Sequence, residues 1–222
     1  MSEAPVGSSL ETPVATPYGP GRLVVDVAAA PIVTLLLSHG AGNGIDTADL
    51  DALARALPAC GVTVARFEQP WKVAGRKLAT PPPTLDVGLR AAATTLAAAT
   101  PLVVGGRSAG ARSAARCARE LGAGGCLALS FPLHPPGRPE KSRLAELAGA
   151  GVPVLVVQGE RDAMGRPEEF PAGLAGVELL VVAGGDHGLR VPTRAELTTA
   201  EALAEVAQAV GRWIRRTVVG NH

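Results

Sequence analysis

The sequence predicts an α/β fold: a mostly parallel central sheet with helices on both faces. Three observations lead there. From residue 32 onward, short apolar runs alternate with amphipathic or Ala-rich stretches, which is the pattern of strand–helix units. The runs at 32–38, 126–130 and 154–157 are almost wholly apolar, as expected of parallel strands covered on both sides. The 222 residues are 47% hydrophobic and 18% charged, enough for one domain with a sizeable core. Aromatics supply only 3%, so that core must be built from Val, Leu and Ala.

Taken in order, residues 1–11 are expected to be a flexible start, and residues 12–222 a single domain. A short edge strand is expected at 12–15, before the Pro17-Tyr18-Gly19-Pro20-Gly21 turn. Residues 22–28 read as the next strand. Strand 32–38 runs into the glycine-dense loop His39-Gly40-Ala41-Gly42-Asn43-Gly44. Asp46 or Thr47 is then placed to cap a helix at 49–59, with Leu50, Leu53, Ala54 and Leu57 on one stripe. Gly61 stops it, and 62–67 is a strand. Segment 68–83 is long and irregular and holds Trp71, Lys72, Arg76, Lys77 and three consecutive prolines; a loop of that length is more often functional than idle. A helix at 85–99, capped by Thr84, follows. Strand 101–105 and helix 111–121 flank Gly106-Arg107-Ser108-Ala109-Gly110. After strand 126–130 come a Pro-rich loop at 131–140 and a short helix at 141–148. Strand 154–157, strand 178–182 and a long amphipathic helix at 195–218 close the chain. Only about two dozen residues separate strands 126–130 and 154–157, so no cap domain fits there and the site should be open.

Composition excludes several functions. A formal net charge of +1 leaves no electrostatic footprint for nucleic acid. Cys60, Cys117 and Cys126 are odd in number and lack CxxC spacing, so neither a disulfide framework nor a zinc site is indicated; each reads as a small buried hydrophobe. No apolar stretch approaches the ~20 residues of a membrane span, and the first residues do not read as a signal peptide. The expected setting is the reducing cytoplasm.

The chemistry lies in the loops after the strands. Strand, Gly-x-Ser-x-Gly, helix is the context of a nucleophile elbow, and the flanking glycines are read as freeing the backbone for a strained turn that lifts the serine. Ser108 is the candidate nucleophile. Its hydroxyl needs a base, and His187, in the Gly-rich loop after strand 178–182, is the candidate. Asp162, after strand 154–157, would orient the imidazole and stabilise the imidazolium. All three follow strand ends, where open parallel sheets bind ligands. The oxyanion of a tetrahedral intermediate would be met by the Ala109 N–H and by the Ala41 N–H, with Gly42 as the neighbouring choice.

Each residue has a plainer reading. Gly-x-Ser-x-Gly alone arises by accident in a chain with 27 glycines. Asp162 alone could be a turn residue, and His187 a surface loop histidine. The conjunction of four loops, in the order oxyanion loop, Ser, Asp, His, favours the sharper reading. Glu160 is a distant second to Asp162, and Asp186 is too close to His187 in sequence to face its ring. His39 is expected to support its loop through hydrogen bonds, and His134 and His222 to be surface or tail residues. Arg107 and Arg112 read first as solubilising helix residues and second as an anchor for an acidic substrate. Trp71 fits either the core edge or the mouth of the site.

Five stretches together resemble a small, cap-less branch of the α/β-hydrolase superfamily akin to dienelactone hydrolases. They are Leu36-Leu37-Ser38-His39-Gly40-Ala41-Gly42, Gly105-Gly106-Arg107-Ser108-Ala109-Gly110-Ala111-Arg112, Phe131-Pro132-Leu133-His134-Pro135-Pro136-Gly137, Gln158-Gly159-Glu160-Arg161-Asp162 and Gly185-Asp186-His187. That branch includes the hydrolase-like domains of testis-expressed protein thirty and of a subunit of the non-specific lethal chromatin complex. The resemblance spans roughly residues 12–218. It implies an α/β-hydrolase fold, a Ser108–Asp162–His187 triad and an oxyanion hole from Ala41 or Gly42 with Ala109. Relatives often look bulkier after the serine than Ala109-Gly110-Ala111, which points to a wider pocket here. The expected activity is cofactor-free and metal-free cleavage of a small ester, lactone or thioester through an acyl-enzyme. The alternatives are a non-catalytic interaction module on the same scaffold and an acyltransferase using the same triad.

Overall fold

The computed structural model describes residues 9–220. Its centre is one eight-stranded sheet in the order β1-β2-β4-β3-β5-β6-β7-β8. The strands are β1 (Ser9–Val14), β2 (Gly21–Asp26), β3 (Val33–Ser38), β4 (Val62–Glu68), β5 (Leu102–Arg107), β6 (Gly125–Leu129), β7 (Val154–Gly159) and β8 (Val177–Val182). β2 pairs antiparallel with both β1 and β4; every other pairing is parallel. The mostly parallel sheet with helices on both faces expected from the sequence is the observed one, and no cap domain interrupts it among the described residues.

The apolar runs work because the sheet is covered twice. Along β3, Leu35 and Leu37 join one core with Leu50, Leu53, Val206, Val210 and Trp213, while Leu36 joins the other with Leu89, Ala111 and Ala114. The same alternation divides Leu127 and Leu129 of β6 from Cys126 and Ala128, and Leu155 and Val157 of β7 from Val154 and Val156. Period-2 side-chain direction turns a continuous hydrophobic run into two buried faces. Helices α1 (Ala48–Ala56) and α6 (Thr199–Ile214) cover the first face; α3 (Pro82–Leu96), α4 (Ala109–Cys117) and α5 (Leu144–Ala148) cover the second. The small side chains of α4 let it lie close to the sheet directly behind Ser108.

Element ends differ from expectation for local reasons. β1 starts at Ser9, three residues before the expected edge strand, and residues 1–8 of the expected flexible start lie outside the described residues. Thr47 is the residue before α1, yet its side chain makes no capping bond. Thr84 does not cap α3: the helix begins at Pro82, whose ring pre-sets a helical φ, and the Thr84 hydroxyl donates inside the first turn to the Pro81 carbonyl at 2.7 Å. α6 begins at Thr199 rather than 195, because Thr198 and Glu201 form a reciprocal capping box. The irregular segment 68–83 contains a one-turn helix, α2 (Pro70–Val73).

Cys117 and Cys126 are buried, and burial pushes their thiols up to about 11 and about 12. Cys60 is exposed, against expectation, because it ends the 3₁₀ turn Leu57–Cys60 at the surface. No helix among the described residues is long and apolar enough to cross a membrane.

Candidate active site

Ser108, Asp162 and His187 emerge from the carboxyl ends of β5, β7 and β8 and meet at one rim of the sheet. The His187 ring bridges the other two: Nε2 is 3.0 Å from the Ser108 Oγ and Nδ1 is 2.8 Å from Asp162 Oδ2. Ser108 sits at φ 54°, ψ −112°, a conformation that L-residues adopt at a cost of order 1–3 kcal/mol. The strain falls on the serine itself. Neither Gly106 nor Gly110 has a positive φ. Their lack of a side chain serves another purpose, since a Cβ on either would overlap the Ser38 carbonyl oxygen. The expectation that the flanking glycines absorb the turn is corrected accordingly. The Ser108 N–H donates to the Leu129 carbonyl at 2.9 Å, holding the elbow to β6.

Asp162 is fully buried. Its Oδ1 accepts the Met164 N–H at 2.8 Å, and Oδ2 accepts the Gln158 Nε2–H at 2.8 Å beside the imidazole. With both oxygens engaged, the carboxylate has little freedom to rotate, and the ring it faces inherits that order. The sequence pattern assigns Gln158 no role. A polar residue at the end of an otherwise apolar strand was the available signal, and the structure puts that amide beneath the acid.

The competing carboxylates lie elsewhere. Glu160 accepts the Gly184 N–H at 2.6 Å and joins two loops. Asp186 turns back on its own loop, accepting the Gly188 and Arg190 N–H groups at 2.7 and 3.0 Å. Burial works against its charge, but those donors outweigh it and hold the carboxyl below its ordinary range. Leu189, buried at φ 56°, completes this tight turn after His187.

The loop after β3 lies against Ser108: a Cβ on Gly40 would come 3.3 Å from the Ser108 Cβ. Ala41 and Gly42 follow at the exposed surface, and Ala109 opens α4, where a first-turn N–H has no intrahelical acceptor. His39 is wholly buried as a loop support. Its Nε2 accepts the Gln69 N–H at 3.0 Å, so Nδ1 carries the proton and donates to the Gly40 carbonyl at 2.8 Å. Burial lowers its pKa and keeps it neutral. Trp71 is buried and packs edge-on against this ring, with centroids 5.4 Å apart.

His134 is not a surface residue. It is buried, with Nδ1 donating to the Pro135 carbonyl at 2.9 Å and Nε2 2.8 Å from Glu169. His222 lies outside the described residues. Neither arginine beside Ser108 is a loose solubilising group. Arg112 forks onto Glu146 at 2.5 and 2.7 Å, and Arg107 turns inward to Asp49 and the His187 carbonyl. A recess of about 710 Å³ lies between β8, the 183–197 loop and α6; none of the three candidate catalytic side chains lines it. The candidate site is instead open, with the His187 side chain 26% exposed.

Residues 31–215 match the profile of a family described as the alpha/beta hydrolase domain. No protein of curated function matches the sequence. Among solved structures, an alpha-beta serine hydrolase homologue from Coxiella burnetii superposes with a TM-score of 0.73 at 18% identity, over 95% of this chain and 99% of that one. A lid-less a/b serine hydrolase from Xanthomonas campestris gives 0.70 at 21% identity, over 95% of each chain. A dienelactone hydrolase from Anabaena variabilis gives 0.71 at 16%, over 95% and 98%. At such identities the likeness is one of fold.

Proposed function

The chain belongs to the α/β-hydrolase family, and on that premise we propose that it is a serine hydrolase cleaving a small carboxylic ester, lactone or thioester. One observation carries the reading: a single imidazole lies within hydrogen-bonding distance of both the hydroxyl of a serine with a strained backbone and a buried carboxylate. In the proposed mechanism His187 Nε2 takes the Ser108 proton as Oγ attacks the carbonyl carbon. Asp162 fixes the ring tautomer through Nδ1–H and stabilises the imidazolium. The developing oxyanion is met by the N–H of Ala109 and that of Ala41 or Gly42. Collapse of the tetrahedral intermediate breaks the bond to the leaving alcohol or thiol, which takes the proton from His187. Water, activated by the same imidazole, then releases the acid and restores Ser108.

Residues 12–222 are taken as the catalytic domain. The unpaired thiols suit a reducing compartment, and the cytoplasm is the proposed setting.

The test is turnover of a small p-nitrophenyl ester together with labelling by a fluorophosphonate. Ser108→Ala should abolish both without loss of fold, and His187→Ala should abolish labelling. Undiminished turnover in Ser108→Ala would overturn the proposal. Absence of labelling in the wild-type protein would point to a non-catalytic module.

A further inference from the structure

We propose that Arg107, neutralised by Asp49, is a positioning residue that anchors the His187 loop to the strand carrying the nucleophile; this rests on the serine-hydrolase reading above. Arg107 is the last residue of β5 and directly precedes Ser108, so its main chain belongs to the most constrained part of the site. Its side chain folds inward and is 11% exposed. Nε lies 2.9 Å from Asp49 Oδ2, a charge contact that lacks hydrogen-bond alignment, while Nη2 donates a true hydrogen bond to the His187 backbone carbonyl at 2.9 Å. Nη1 lies beside the oxyanion loop, 3.4 Å from where a Cβ on Gly40 would stand. One planar fork thus touches α1, the Gly40 loop and the histidine loop at once.

The Asp49 carboxylate is 2% exposed, and its Oδ1 also accepts the Leu50 N–H at 3.0 Å. A buried ion pair is a poor choice for stability alone, because apolar residues of similar volume serve as well or better. What the pair supplies is a compensating charge, and direction comes from the Nη2–H bond to the His187 carbonyl. A guanidinium presents donors in a rigid plane and can hold a carboxylate and a carbonyl on different elements together, which a single ammonium cannot do in that geometry. The bonds from Asp186 tie the histidine loop to itself. The bond from Arg107 ties that loop to β5. The ring must keep contacts of 3.0 and 2.8 Å to groups on two different strands, so a drift of about 1 Å at the residue 187 backbone sacrifices one of them.

Arg107→Lys is the deciding variant, since it retains a cation for Asp49 and loses the fork. Expected are an unchanged melting temperature, a fall in kcat on the order of 10- to 100-fold on a p-nitrophenyl ester, and a KM within about twofold of wild type. The low-field NMR signal of the His187 Nδ1 proton should be sharp in the wild-type protein and should broaden in the variant by exchange with water. Should the lysine variant not fold, Arg107→Gln/Asp49→Asn removes both charges and reads the same two quantities. Wild-type kcat with a sharp ring-proton signal in the folded variant would overturn the proposal, as would parallel losses of kcat and melting temperature with the signal intact. The NMR readout needs no substrate, so it stands apart from the Ser108→Ala test of the hydrolase reading.

Discussion

Gly110 abuts Ser38 so closely that a Cβ at residue 110 would stand 2.2 Å from the carbonyl oxygen of residue 38. Helix α4 begins against the end of the neighbouring strand, and this approach brings the Gly40 loop beside Ser108. The obstacle is backbone, which cannot swing aside as a long side chain can. Gly110→Ala should therefore destabilise the protein by about 3 kcal/mol, read from urea unfolding, and depress turnover by displacing the elbow from the Gly40 loop.

Ser108 carries its strain at φ 54° as a non-glycine residue. Ser108→Gly should remove activity and raise stability by about 1 kcal/mol, because glycine adopts such dihedrals freely. Ser108→Ala keeps the Cβ and should melt near the wild-type temperature. A calorimetric comparison of the three proteins checks both statements.

Asp162→Asn has no silent orientation. One rotamer aims the new amide N–H group at Gln158 Nε2, and the other aims it at the Met164 N–H, so two donors face each other in a buried site either way. The substitution should lower kcat by roughly 10⁴-fold through loss of the correct tautomer. It should also cost about 1–3 kcal/mol of stability. Steady-state kinetics and denaturation of the same preparation measure the two effects.

His134 and Glu169 link the loops after β6 and β7, and their titrations are coupled to folding. The Pro135 carbonyl and then Glu169 raise the His134 pKa above its ordinary 6.5. The Arg166 N–H and then His134 lower the Glu169 pKa below its ordinary 4.5. The histidine contribution is therefore full below pH 6.5 and lost as pH rises through its raised value. The glutamate contribution is full above pH 4.5 and lost as pH falls through its depressed value. Between those limits the pair stabilises the folded chain. Glu169 is 35% exposed, so water screens the pair and the loss on going alkaline should be about 1 kcal/mol or less. Melting curves at pH 5.5 and 8.5 should show this difference in the wild-type protein and not in His134→Asn.

Much of the scaffold was legible in the residues. The runs at 32–38, 126–130 and 154–157 carry a local signal repeated at every position, and burial on both faces leaves such strands no alternative pattern. Because the core strands are parallel, the loops after β3, β5, β7 and β8 open on one rim, and reading four loops in order was enough to nominate Ser108, Asp162 and His187 as candidates. Helix starts were harder: at Thr84 a good capping residue lies inside a turn already begun by Pro82, and at Thr198 the capping box outweighed three preceding residues of plausible helix.

Tertiary structure alone decided the partners. Arg107 meets the carbonyl of a residue 80 positions away, and it is Asp49, brought beside it by α1, that turns this arginine inward from the surface. His134 is buried because Glu169 is 35 residues further along, and Gln158 supports the acid because β7 ends where the chain turns back over it. Hydrophobic burial is a one-body preference, written in each residue and averaged over a strand. A directed polar contact between distant positions depends on where two separately packed elements end, to within about an ångström, and no local pattern encodes that.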